Sequence, residues 1–154
     1  MSVSSAGLKS INVSFDDPNL VANAGLFVIA TLSESLGLRE LVEDKVSLSG
    51  RVGGANPGRK ILTLVHAMAA GASHIDHVDM LRSGSTQAVL GHKVMAPSTT
   101  GTFLRSFTFG HIRQLDSVMD VVLSRAWAMG AGPGDAQLVI DVDSTICEVH
   151  GDKK

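Results

Sequence analysis

Two aspartates, Asp141 and Asp143, stand one residue apart in the apolar run LVIDVDSTICEV at 138–149. A buried carboxylate without a partner costs several kcal/mol, roughly, so two on one apolar segment call for a cation or a metal. On a strand, residues two apart share a face, which would send Asp141, Asp143 and Thr145 one way and Val142, Ser144 and Ile146 the other. Two carboxylates on one face suit Mg²⁺, a hard ion that takes one or two protein carboxylates and fills its shell with water and phosphate oxygens. The plain alternative is a pair of edge-strand carboxylates facing solvent.

A second candidate chemistry is electrostatic. Between Asp79 and Asp116 there is no acidic residue, while Arg82, Lys93, Arg105 and Arg113 supply four cations, joined by His92 and His111. Such a window fits contacts to DNA phosphates, which are sequence-independent and weaken steeply with salt. It also fits an ordinary solvated face. Arg51, Arg59 and Lys60, in the segment SLSGRVGGANPGRK at 47–60, form a lesser basic group. His74, Asp76, His77 and Asp79 have the i, i+3 spacing of a helical metal site, but without a Cys or a second ligand cluster they read as a polar surface. Phe103, Phe107 and Phe109 lie among the cations; their spacing favours core over base stacking.

These residues need elements to position them. Ile11, Val13 and Phe15 alternate with polar residues, as in a short edge strand, and Asp16-Asp17-Pro18 then opens a helix over 19–35 that buries Val21, Ala24, Phe27, Val28 and Leu32. Gly37 separates it from a short helix over 38–44. The Gly-, Ser- and Pro-rich segment 47–60 is expected to be an exposed loop and the most flexible internal stretch. Helices follow over 60–70, over ASHIDHVDMLRSG and over 85–90. Another starts at Ser98 or Thr99 behind Pro97, and a last one spans 111–129 with Ile112, Leu115, Met119, Val122, Leu123 and Ala126 on its buried face. GAGPGD at 130–135 is a linker, after which the period switches to extended over 137–147. A lone strand is not stable, so its sheet partners are expected downstream of Lys154. The fold expected is mainly α: a helical domain over 1–135, then over 136–154 the first strand of an α/β catalytic domain.

Composition narrows the function classes. The chain has 154 residues, 44% hydrophobic and 18% charged, with a net charge of −2 and a pI near 6.3. That is long enough for one core, and any nucleic-acid contact must come from a local patch. The single cysteine, Cys147, cannot form an internal disulfide and reads as a buried, inert thiol in a reducing compartment. Neither a signal peptide nor an apolar run of about 18 residues is present, so a cytoplasmic protein without a membrane span is expected.

Four blocks in this order, FDDPNLVANAGL at 15–26, AAGASHIDHVDMLRSG at 69–84, MAPSTTGTFLRSFTFGHIRQLD at 95–116 and VIDVDSTICEVHG at 139–151, resemble the amino-terminal third of bacterial insertion-sequence transposases of the Asp-Asp-Glu type. The resemblance covers nearly the whole chain. It implies a helical amino-terminal region followed by a ribonuclease-H-like domain, whose first strand carries the first Mg²⁺-binding Asp. Asp143, directly before Ser-Thr, is the first choice for that catalytic and metal-binding residue, with Asp141 second. The implied reaction is Mg²⁺-dependent cleavage and joining of double-stranded DNA at element ends, with the second Asp and the Glu downstream of this chain. Two-metal phosphoryl transfer needs that full set, so this chain alone is expected to be inactive. A non-catalytic DNA-binding or assembly module, acting as a homodimer or on intact transposase, is the alternative. More distantly, the D-x-D-x-T pattern is similar to the nucleophile loop of haloacid-dehalogenase-type phosphatases, but only eleven residues follow Asp143, too few for that fold.

Overall fold

The computed structural model describes residue 17 and residues 19–137 and 139–144. Six α-helices follow in order: α1 (Leu26–Ser35), α2 (Leu38–Lys45), α3 (Pro57–Ala69), α4 (Thr86–Leu90), α5 (Pro97–Arg105) and α6 (Phe109–Ala126). A 3-10 helix, Ile75–Arg82, stands between α3 and α4, and a π-helical turn, Trp127–Ala131, continues α6. Among the described residues none is in a strand, so the mainly α expectation stands and the strand over 137–147 does not form in its described part. Residues 139–144 carry no regular structure and are exposed, and among the described residues none offers the sheet neighbour that an extended backbone needs. The expected edge strand at 11–15 and Cys147 lie outside the described residues.

The helix α3 is central and touches α1, α2, α5 and the 3-10 helix. On one side Ala67 joins Leu26, Val78, Leu81, Leu90 and Val94 in a first core. On the other, Ile61 and Leu64 pack against Leu41, Val42, Val46, Leu48, Phe103 and Val118. The approach of α2 to α3 depends on Gly58: a Cβ there would lie 2.5 Å from the Arg39 carbonyl oxygen and 3.0 Å from Glu43 side-chain atoms. Gly58 N–H donates to Glu43 Oε1 at 3.1 Å, so a carboxylate from α2 satisfies one of the unpaired donors at the positive end of α3.

Several local expectations shift. Residues 19–25 are turns, and α1 starts only at Leu26. Asp17 Oδ1 accepts from the Asn19 amide at 2.8 Å, and the Leu20 and Ala22 carbonyls accept from Ser85 N–H (3.1 Å) and the Thr86 hydroxyl (3.0 Å), which draws this backbone to α4 instead of into a helix. In α1 the buried residues are Leu26 and Ser33, with Ala30 packed beside them, whereas Phe27 and Val28 are 60% and 67% exposed and Leu32 is exposed too. Ser33 is tolerated inside because its hydroxyl donates to the Ile29 carbonyl at 2.8 Å. Ala96, not Ser98 or Thr99, precedes α5, with Pro97 in its first turn. The buried face of α6 centres on Val118 with Leu115, Val121 and Val122, about one residue round the helix from the expected face. Ile112, Met119 and Leu123 are left exposed.

Candidate nucleic-acid interface

The segment 46–56 is a loop, but Lys60 makes it a built one. Lys60 is 5% exposed, and its ammonium donates to the Gly53 carbonyl at 2.6 Å and the Ala55 carbonyl at 2.5 Å while lying 5.3 Å from the centroid of the Phe103 ring. Burial lowers its pKa, with Glu43 opposing. This cation is spent on loop carbonyls and is out of reach of a phosphate. The expectation of a flexible segment presenting Arg51, Arg59 and Lys60 together is corrected accordingly: Arg59 is half-buried, Lys60 is buried and only Arg51 is exposed. On its far side the loop is pressed onto α5. A Cβ on Gly53, whose φ is 83°, would lie 2.9 Å from Thr102 Cγ2 and 3.1–3.2 Å from the backbone of Thr102 and Phe103, so no other residue fits without displacing α5.

All four cations of the acid-free window are exposed, but they differ in what they face. Arg82 pairs with Asp79 at 2.7 Å and Arg113 with Asp116 at 3.6 Å, each one helical turn away. Exposed pairs of this kind are worth about 0–1 kcal/mol and break readily, yet each leaves a carboxylate next to any incoming phosphate. Lys93 and Arg105 have no carboxylate within 4 Å among the described residues. Arg105 Nη2 donates to Thr102 Oγ1 at 3.4 Å, and the Thr102 hydroxyl donates to the Ser98 carbonyl at 3.0 Å.

The histidines of this region serve structure. His111 Nδ1 accepts from the Thr108 amide at 3.0 Å, the return half of a capping box at the start of α6. His92 Nδ1 lies 3.2 Å from the Lys93 carbonyl oxygen; a carbonyl only accepts, so this nitrogen carries the proton and Nε2 is left as the acceptor. His66 Nδ1 lies 3.0 Å from that Nε2 and donates to it. The opposite nitrogen, His66 Nε2, is then a buried lone pair without a protein partner. Burial, aided by the neighbouring His92, holds His66 down at about 4, and His92 is lowered by its own burial against the opposing Lys93 carbonyl. Both rings are neutral at pH 7 and add nothing to the positive field. They border a cavity of about 160 Å³ with Thr31, Glu34, Arg39 and Glu40.

Among the aromatic residues, Phe103 is fully buried and meets Phe107 edge-on at 4.9 Å, as a core pair should, while Phe109 is 79% exposed at the head of α6. In the 3-10 helix region, His74 Nδ1 pairs with the Ser73 hydroxyl at 2.9 Å, His77 Nδ1 accepts from the Ser73 amide at 3.3 Å and Asp79 pairs with Arg82.

Asp141 and Asp143 are exposed, and Asp143 Oδ1 accepts from the adjacent Ser144 amide at 2.7 Å. Their hard oxygen atoms have the right chemistry for Mg²⁺. Among the described residues, however, no group of three or more His, Cys, Asp and Glu gathers where it could hold a metal ion. Asp141 and Asp143 alone do not complete a metal centre among the described residues. No helix among the described residues is long and apolar enough to cross a membrane. In comparisons with protein-family models, curated proteins and solved structures, none matches this chain.

Proposed function

We propose that this chain is the amino-terminal, DNA-contacting part of an insertion-sequence transposase of the Asp-Asp-Glu type, with Asp143 and then Asp141 as its contribution to a ribonuclease-H-like, Mg²⁺-dependent catalytic centre. The observation that carries the reading is the acid-free window 80–115, in which Lys93 and Arg105 are exposed and have no carboxylate within 4 Å among the described residues. Its role is to hold double-stranded DNA by the backbone while the remainder of the intact protein cleaves and joins it. The test is a salt series of binding to an element-end duplex and to a scrambled duplex. Wild-type protein should bind both, with log K falling against log salt by roughly 0.9 for each neutralised phosphate, and Arg105→Ala should bind more weakly with a shallower slope. Absence of binding at low salt, or an Arg105→Ala variant identical to wild type, would discard the reading.

A second reading, a non-catalytic assembly module, is favoured by the apolar residues left uncovered along α6 and its π-helical turn: Ile112, Met119, Leu123, Trp127 and Met129. In that reading the chain pairs with a second copy or with intact transposase.

A further inference from the structure

The geometry points to a single phosphate seat shared by Arg51 and Arg105, two arginines 54 positions apart in the sequence. This deepens the DNA-contact reading, and its test is arranged so that the two can fail separately. Both arginines line one open groove of about 540 Å³, bordered by Ser49, Thr102 and Ser106. Neither arginine has a carboxylate within 4 Å among the described residues.

Three features fix the two relative to each other. The loop bearing Arg51 is closed by its own turns, Arg51 N–H to the Leu48 carbonyl (3.1 Å) and Gly54 N–H to the Arg51 carbonyl (3.0 Å). It is anchored from within by Lys60 and pressed against Thr102 at Gly53. Arg105 is steered by Thr102 Oγ1, one turn back on the helix that Gly53 touches. The hydroxyls donate elsewhere, Thr102 to Ser98 and Ser106 to the Phe103 carbonyl at 2.6 Å, so they orient and the guanidinium groups are the donors.

Arg105 also borders a second groove, but that one holds Asp76 and Asp79, whose charges repel an anion. The side shared with Arg51 is therefore where an oxyanion settles. Two planar forks on one open groove suit a phosphate, which accepts several charge-assisted hydrogen bonds at once. A backbone phosphodiester and a free phosphate share this chemistry.

The experiment combines a double-mutant cycle with a phosphate titration. Wild type, Arg51→Ala, Arg105→Ala and the double variant are bound to duplex DNA at low salt, and inorganic phosphate is titrated into isotope-labelled protein while the amide signals of Gly50, Arg51, Thr102 and Ser106 are followed. Both side chains are exposed, so circular dichroism spectra and melting temperatures should be unchanged. A shared seat predicts that each single substitution weakens DNA binding by about tenfold and that the double falls well short of the hundredfold product. DNA binding unaffected by Arg51→Ala, or losses that simply multiply, would overturn the seat and leave the DNA reading standing. Saturable phosphate shifts at those amides without DNA affinity would keep the seat, assign it to a free phosphate and overturn the DNA reading. Neither DNA binding nor phosphate shifts would overturn both.

Discussion

His66 carries a consequence for pH that its stacked neighbour His92 shares in direction. Its unfolded-state pKa is near the ordinary 6.5 and its folded value is about 4, so above pH 6.5 the ring is neutral in both states and contributes nothing to pH dependence. Below 6.5 the unfolded chain binds a proton that the folded chain refuses. Stability should then fall by about 1.4 kcal/mol per pH unit, levelling near pH 4 after a total loss of about 3 kcal/mol. Urea titrations between pH 7 and 4 measure this, and His66→Gln should flatten the profile; an equally steep profile in the variant would assign the loss to other groups. Lys60 offers a second test. Lys60→Met keeps the stem but removes the donor for the Gly53 and Ala55 carbonyls, and a stability loss of about 1–3 kcal/mol is expected, with faster amide exchange in 50–56. Neither residue announced itself in the sequence. A lysine in GGANPGRK and a histidine in LVHAMA look like surface and helix filler, because Phe103, beside Lys60, and His92, beside His66, come near only in the folded chain.

The element boundaries were more legible than the element faces. Gly37, Gly91 and Pro97 mark where helices stop or start, and the intervening helices fall close to where the apolar spacing puts them. Periodicity misjudged the buried faces of α1 and α6, since both helices carry more apolar residues than the cores can cover and the pattern alone does not say which stripe wins. The helix expected over 72–84 forms across Ile75–Arg82, in the tighter 3-10 form, with Val78 and Leu81 drawn into the first core. The uncovered stripe of α6 can be tested at this scale. If it pairs two chains, Met119→Lys with Leu123→Glu should abolish a concentration-dependent dimer in sedimentation velocity while leaving the helical circular dichroism signal intact. The buried side gives the contrast: Phe103→Ala should cost about 3–5 kcal/mol, because Phe103 is fully enclosed in the second core.

Taken whole, the molecule is two small cores on either side of α3, with the loop 46–56 fastened to the second. That the chain is mainly helical could be read from its apolar spacing; the shared groove of Arg51 and Arg105 could not, since it exists only after α3 and α5 have brought the loop and the window together. For the aspartates at 141 and 143 the whole-molecule expectation is negative: this chain with Mg²⁺ or Mn²⁺ should neither nick nor join an element-end duplex, and metal-dependent cleavage lost in Asp143→Ala would contradict that. The enclosed ammonium of Lys60 has one more use. An acylating reagent reaches an amine only when it is deprotonated and in contact with solvent, so under mild labelling Lys60 should stay unmodified while Lys93, on the open surface, reacts within the first moments. Its labelling rate, followed by mass spectrometry against added denaturant, becomes a clock built into the chain for how often the loop and the central helix part company.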